Sequence, residues 1–168
     1  MLGEKKTIVA CSTPPGRGAI STVRLSGNKA ITIIQKITKK KLKERSSILE
    51  FPLDKGLKEK CVLTIFRAPN SYTGENVVEI STHGNPLIVE KVIQQCLNAG
   101  AFIAEPGEFT LRAYLNNKLT IDQSEAVIEV INANSSASLK AAQNSLNGGL
   151  RMRISKVQQK LRETRVLV

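Results

Sequence analysis

Apolar and polar positions divide the chain into two textures. Up to about Leu115 short apolar runs alternate with amphipathic ones, and beyond Thr120 the apolar residues recur only at helical spacing. Thr7 to Cys11 (TIVAC) predicts a short strand, and Ser12 to Gly18 a loop whose prolines fix the backbone while its glycines free it. Ile20 to Leu25 alternates as a second strand, with Val23 and Arg24 on opposite faces. Ser26 or Asn28 then caps a helix through Ile37, whose inner stripe is Ala30, Ile33, Ile34 and Ile37. No regular element is assigned between Ile37 and Val62. Val62 to Arg67 and Val77 to Ser81 read as strands, with a turn at Ala68-Pro69-Asn70-Ser71 between them. In the later strand Val78 and Ile80 share one face, and Val77, Glu79 and Ser81 the other. His83-Gly84-Asn85-Pro86 leads as a turn into a helix, Leu87 to Asn98, closed by Gly100. Ala101 to Ala104 adds a short strand.

The stretch from Glu105 to Glu129 hands the first texture over to the second. Pro106-Gly107 marks a turn, and Glu108 opens a helix that places Phe109, Ala113 and Tyr114 on one face. Asn116-Asn117 breaks it with residues that tolerate left-handed backbone. Thr120 and Gln123 have capping-box spacing, so the next helix starts there. Arg112 and Lys118 flank this elbow, and as solvated charges on a helix–loop–helix joint they require no function. Val127, Ile128, Val130 and Ile131 extend the capped helix, and the segment from Asn132 to Ser136 weakens it. Leu139, Ala142, Leu146, Leu150, Ile154, Val157 and Leu161 then hold helical spacing, with a bend or locally soft helix expected at Gly148-Gly149.

These patterns predict an α+β fold: a compact domain with a mixed sheet, followed by long helices. From Lys140 on, Lys140, Arg151, Arg153, Lys156, Lys160, Arg162 and Arg165 face only Glu163. Such a helix cannot bury its apolar stripe alone. The pattern also runs without a stop signal into Val166-Leu167-Val168. The expectation is a fragment or naturally truncated product whose helices pack on something further.

Charge changes this picture more than composition does. With 25 Lys and Arg against 14 Asp and Glu, the net charge of +11 makes an anionic partner worth testing. The basic run Lys36, Lys39, Lys40, Lys41, Lys43 and Arg45 reads either as a solvated helix end or as an RNA-contacting patch. A 4% aromatic content without Trp argues against a stacking platform for single-stranded nucleic acid. Cys11, Cys61 and Cys96 are scattered without a CxxC pair, so neither a disulfide framework nor a structural zinc site is expected. No apolar run is long enough to span a bilayer, and MLGEKK lacks a following signal-peptide core. The expected location is the cytoplasm.

Candidate chemistry is sparse. Gly16-Arg17-Gly18 completes neither a GxxxxGK-Ser/Thr loop nor GxGxxG, and the former occurs nowhere in the chain. His83, the only histidine, has no carboxylate or nucleophile at a diagnostic spacing and reads as a turn residue. Glu79 stands out because an unpaired acid inside an apolar strand is costly to bury. Arg24 poses the same question on its own strand. Glu79 either points to solvent, or meets a donor-rich ligand or a buried cation. A carboxylate accepting N–H bonds and a guanidinium clamping an acid suit a ligand with an amide-like ring edge and a carboxylate tail.

Three runs, STPPGRGAISTVRLSG, APNSYTGENVVEISTHGNP and PGEFTLRAYLNNKLTIDQSEAV, resemble the amino-terminal part of the tRNA modification GTPases of the MnmE (TrmE) family. The likeness covers nearly the whole chain and is weakest from about Ile37 to Lys60. It implies that residues 1–117 form a domain resembling the folate-binding domain of aminomethyltransferases, which binds 5-formyltetrahydrofolate and makes the homodimer. Residues 118–168 would be the first helices of a truncated helical domain, into which the family inserts a potassium-dependent, Ras-like GTPase using GTP and magnesium. The expectation is that this chain, which carries no GxxxxGK-Ser/Thr loop, does not hydrolyse GTP. With the partner MnmG (GidA), the family builds a carboxymethylaminomethyl or aminomethyl group on the wobble uridine, position 34, of certain tRNAs.

Carried over, the folate contacts fall on Arg24 in VRLSG, Glu79 in VVEIS and Lys118 in LNNKL. The resemblance implies that Glu79 accepts from the pterin N–H groups while Arg24 and Lys118 meet polar or anionic parts. None of the three breaks bonds; they position the one-carbon donor. The alternative is a basic RNA-binding or assembly module without folate chemistry. The chain departs from the family pattern at Asn76 and Thr120, where aspartate is common, at Asn85, where glycine is common, and at Asn117, where aspartate is frequent.

Overall fold

The computed structural model describes residues 6–42, 44–54 and 56–166. Of the positions named above, Met1 to Lys5, Lys43, Leu167 and Val168 lie outside the described residues, as do the side chains of Leu150, Arg151 and Val166. The chain forms two compact units, Met1–Arg112 and Ala113–Val168.

The first unit is built on a six-stranded mixed sheet. Its strands are β1 (Ile8–Cys11), β2 (Gly18–Ser26), β3 (Ser46–Asp54), β4 (Leu57–Phe66), β5 (Val77–Gly84) and β6 (Phe102–Ile103). They lie in the order β3-β4-β5-β2-β1-β6. Every neighbouring pair is antiparallel except β1 and β6, which run parallel with Ile8 beside Phe102. Helices α1 (Ala30–Thr38) and α2 (Pro86–Asn98) cover one face. Strand alternation sends Val23, Leu25, Leu63, Val78 and Ile80 to that side, where they meet Ile33 and Ile34 of α1 and Val92 and Cys96 of α2 in one apolar core. The opposite face carries Thr22 and Arg24 of β2, Glu79 and Ser81 of β5, and the exposed Ile48 and Val62.

The hairpin β3–β4 fills the interval before Val62, for which the sequence pattern predicts no element. Leu49, Phe51 and Leu53 alternate inward, and so do Cys61, Leu63 and Ile65 opposite them. Pro52 sits in β3 because β3 is an edge strand with one neighbour.

Two local expectations change. The residue at the start of α1 is Lys29, not Ser26 or Asn28, and its backbone N–H donates to the Thr7 hydroxyl at 3.1 Å. His83 belongs to β5 rather than a turn, because pairing with β2 continues to Gly18↔Gly84. A Cβ on Gly84 would stand 2.4 Å from the Gly18 carbonyl oxygen, so only glycine permits that approach. Asn85 caps α2 by accepting the Leu87 N–H at 3.0 Å.

Helix α3 (Glu108–Leu115) closes the first unit and opens the second, which continues with α4 (Ile121–Asn132), α5 (Ser136–Leu146) and α6 (Gly149–Val166). Asn117 adopts φ +56° after α3, and the Thr120 N–H donates to Gln123 Oε1 at 2.9 Å at the start of α4. At Gly148-Gly149 the chain breaks rather than bends: α5 has ended at Leu146, and Gly148 turns with φ +79°. Met152, Ile154, Val157 and Leu161 of α6 are exposed. Among the described residues, no helix is long and apolar enough to cross a membrane.

Candidate functional site

β2 lies between β1 and β5, and its register sets Arg24 directly beside Glu79. Both side chains point away from the apolar core, since Val23, Leu25, Val78 and Ile80 take the inward positions. Arg24 Nε donates to Glu79 Oε1 at 2.9 Å, and Nη2 approaches the same oxygen at 2.8 Å. About a quarter of each side chain is exposed, at 26% and 25%. The two awkward strand charges of the sequence therefore pair with each other and still reach the surface.

Two aromatic rings flank the guanidinium. Its Cζ lies 5.7 Å from the Tyr72 ring centroid and 5.6 Å from that of Phe109. These are cation–π distances. Tyr72 arrives on the loop after β4 and Phe109 on the first turn of α3; the Tyr72 and Thr110 hydroxyls bond at 2.9 Å.

Behind this surface lies a buried polar network that the sequence reading missed. Arg112, expected to be solvated, is 8% exposed, and Glu75 is 6% exposed. Arg112 Nη1 donates to Glu75 Oε2 at 3.0 Å, while Nε and Nη2 donate to Glu108 Oε1 at 3.2 and 2.8 Å. The Ser26 hydroxyl donates to Glu75 Oε2 at 2.8 Å and shares a 2.7 Å bond with the Thr73 hydroxyl. Partial burial alone would raise the Glu108 carboxyl, but the Glu105 N–H and the Arg112 guanidinium outweigh it and hold the group below its ordinary value. No local signal marks the Glu75–Arg112 pair. Its partners are distant in sequence and meet only through the fold.

Lys118 is an exposed residue of the second unit, where its backbone N–H donates to the Ala113 carbonyl at 2.8 Å. The first unit thus brings Arg24 and Glu79 together, with Tyr72 and Phe109 as neighbours that the sequence reading did not name. His83 Nδ1 lies 2.7 Å from Glu59 Oε1, which also accepts the His83 backbone N–H at 2.9 Å. An apolar cleft of about 500 Å³ opens between the 12–17 loop and α2, lined in part by Cys11, Pro14, Pro15, Val89 and Ile93. Neither Arg24 nor Glu79 lines it, so cleft and ion pair are separate features. Among the described residues, no group of three or more His, Cys, Asp or Glu could hold a metal ion.

The family model described as "GTP-binding protein TrmE N-terminus" matches residues 7–118, which include every residue of the pair, its aromatic flank and the buried network. This chain belongs to the TrmE N-terminal family. It is similar to tRNA modification GTPases MnmE of Francisella tularensis subsp. holarctica (strain OSU18) and subsp. novicida (strain U112), each 46% identical over 165 residues. That of Francisella philomiragia subsp. philomiragia is 45% identical over 170 residues. Each comparison covers 98% of this chain and 37% of the relative, so the chain spans little more than a third of the length of the curated relatives it matches. Because the TrmE N-terminal match runs to residue 118, it ends just beyond α3, at the elbow.

Proposed function

We propose that this chain is the folate-binding, dimer-forming amino-terminal part of a tRNA uridine-34 modification GTPase. What supports the reading is the Arg24–Glu79 pair, quarter-exposed and flanked by Tyr72 and Phe109. The residues suit 5-formyltetrahydrofolate: a carboxylate acceptor for the pterin N–H edge, a guanidinium donor for polar or anionic groups, and aromatic faces for a flat ring system. Both contacts from Arg24 fall on Glu79 Oε1, so Oε2 is the atom assigned to the ligand. Lys118 is assigned to the ligand's anionic portion. The bound folate supplies a one-carbon unit; the side chains bind and orient it.

On this reading residues 1–117 are a folate domain like that of aminomethyltransferases and 118–168 begin a helical domain. The module works as a cytoplasmic homodimer with MnmG on tRNA. GTP, magnesium and potassium are assigned to the part of the relatives that this chain does not span. Calorimetric titration with 5-formyltetrahydrofolate tests the site. Binding in the low micromolar range or weaker is expected, and Glu79→Gln should weaken it by about tenfold or more. Equal heats from the two proteins would remove the assignment.

A second reading, an RNA-binding or assembly surface, is favoured by the exposure of Lys36, Lys39, Lys40, Lys41 and Arg45. It requires tRNA retention on filters that falls steeply as salt rises. No retention at low salt would dismiss it.

A further inference from the structure

The buried Glu75–Arg112 pair sits where three elements of the candidate site meet. Its carboxylate takes a hydrogen bond from Ser26, which lies two residues beyond Arg24 on the same face of β2. Its own loop carries Tyr72 and is tied back by Thr73, whose hydroxyl accepts the Glu75 N–H at 3.3 Å. Its guanidinium lies on α3 one turn after Phe109, and Arg112 also clamps Glu108 at the start of that helix. Strand, loop and helix therefore share one buried ionic joint, and each contributes one member of the Tyr72–Arg24–Phe109 stack.

We propose that Glu75 and Arg112 are positioning residues that set the spacing of the two rings about Arg24, and through it the affinity of the site. The affinity part of this inference rests on the folate reading above; the spacing part does not. Replacing a buried ion pair by apolar packing is often neutral or stabilising, so stability alone does not account for this one. Arg112 is suited to positioning because its planar fork serves Glu75 through Nη1 and Glu108 through Nε and Nη2. A lysine keeps the charge but cannot serve both acids in that fixed arrangement.

The experiment uses the full chain and the Arg112→Lys variant. Three measurements are made: the thermal melt, the Arg24 Nε–H resonance in a proton–nitrogen correlation spectrum, and the Kd for 5-formyltetrahydrofolate. The resonance is assigned by its loss in Arg24→Lys and carries the ring-current shift of Tyr72 and Phe109. In Arg112→Lys we expect a cooperative melt, an Arg24 resonance moved toward its position in Phe109→Leu, and a Kd raised about tenfold. An unmoved resonance overturns the inference, whatever happens to the melt. Should Arg112→Lys fail to fold, Glu75→Gln gives the same reading with the same two outcomes. If the wild-type chain shows no heat with folate, the folate reading fails alone, and the resonance still decides whether the pair spaces the rings. A resonance that moves while the Kd stays unchanged overturns the link to affinity.

Discussion

Thr7 packs against Gly27 with no room for a methyl group between them. A Cβ at position 27 would lie 2.6 Å from Thr7 Oγ1 and 2.7 Å from Thr7 Cα, and Gly27 holds φ +139°. Gly27→Ala is therefore both strained and blocked by backbone, and we expect a loss of about 3 kcal/mol. Urea unfolding measures it; a loss below about 1 kcal/mol would mean that the β2–α1 turn relaxes freely.

The same Thr7 hydroxyl receives the Lys29 N–H at the start of α1. Thr7→Ala removes that acceptor, and the cost expected is that of one lost hydrogen bond, about 1 kcal/mol. Thr7→Ser keeps the oxygen and should recover most of the urea midpoint.

Removing one partner of a buried ion pair strands the other. Arg112→Ala leaves Glu75 under the surface without its cation, and the expected loss is about 3–5 kcal/mol. The Glu75→Ala, Arg112→Ala double variant should lose less than the sum of the two single variants. Additive losses in the double-mutant cycle would show the two side chains to be uncoupled.

Glu108 supplies an acid-side dependence. Its carboxyl is held below its ordinary value of 4.5 in the folded chain. A group with a depressed folded value stabilises above its unfolded pKa, and that contribution is lost as pH falls through the folded value. Stability measured between pH 7 and about pH 3 should therefore fall below about pH 4.5, and Glu108→Gln should flatten part of that fall. Parallel curves for the two proteins would contradict it.

The thiols should differ sharply in reactivity. Burial pushes Cys96 up to about 12; burial, with the Glu59 charge adding to it, pushes Cys61 up to about 11. Cys11 is half-buried at the edge of the apolar cleft. At pH 8 an alkylating reagent should label Cys11 in the native protein, and all three only after unfolding. Native labelling of Cys61 or Cys96, read by mass spectrometry, would show that the core opens.

Sequence patterns reached some parts of this molecule and not others, for physical reasons. α2 was legible because its signals are local: Asn85 before Pro86, and Gly100 after the end. The Thr120–Gln123 box and the left-handed Asn117 were legible on the same ground. The start of α1 was not, because the N–H of Lys29 just before it is met by Thr7, 22 residues earlier in the chain, while Ser26 is spent on Glu75. The β3–β4 hairpin carried a period of two at Leu49, Phe51 and Leu53, but Pro52 and the neighbouring charges obscured it. Arg24 and Glu79 each stood out as a charge in an apolar strand, yet only the β2–β5 register makes them partners. Arg112 looked solvated because its acid, Glu75, arrives from a separate loop.

The parallel contact of β1 with β6 has a consequence for how the chain emerges from a ribosome. β1 can zip onto β2 almost at once, but its other side stays open until the residues after Gly100 have left the exit tunnel. For most of the time this unit takes to be made, the nascent polypeptide exposes an unfinished border to its neighbours. A pause in translation just before Phe102 would prolong that vulnerable interval.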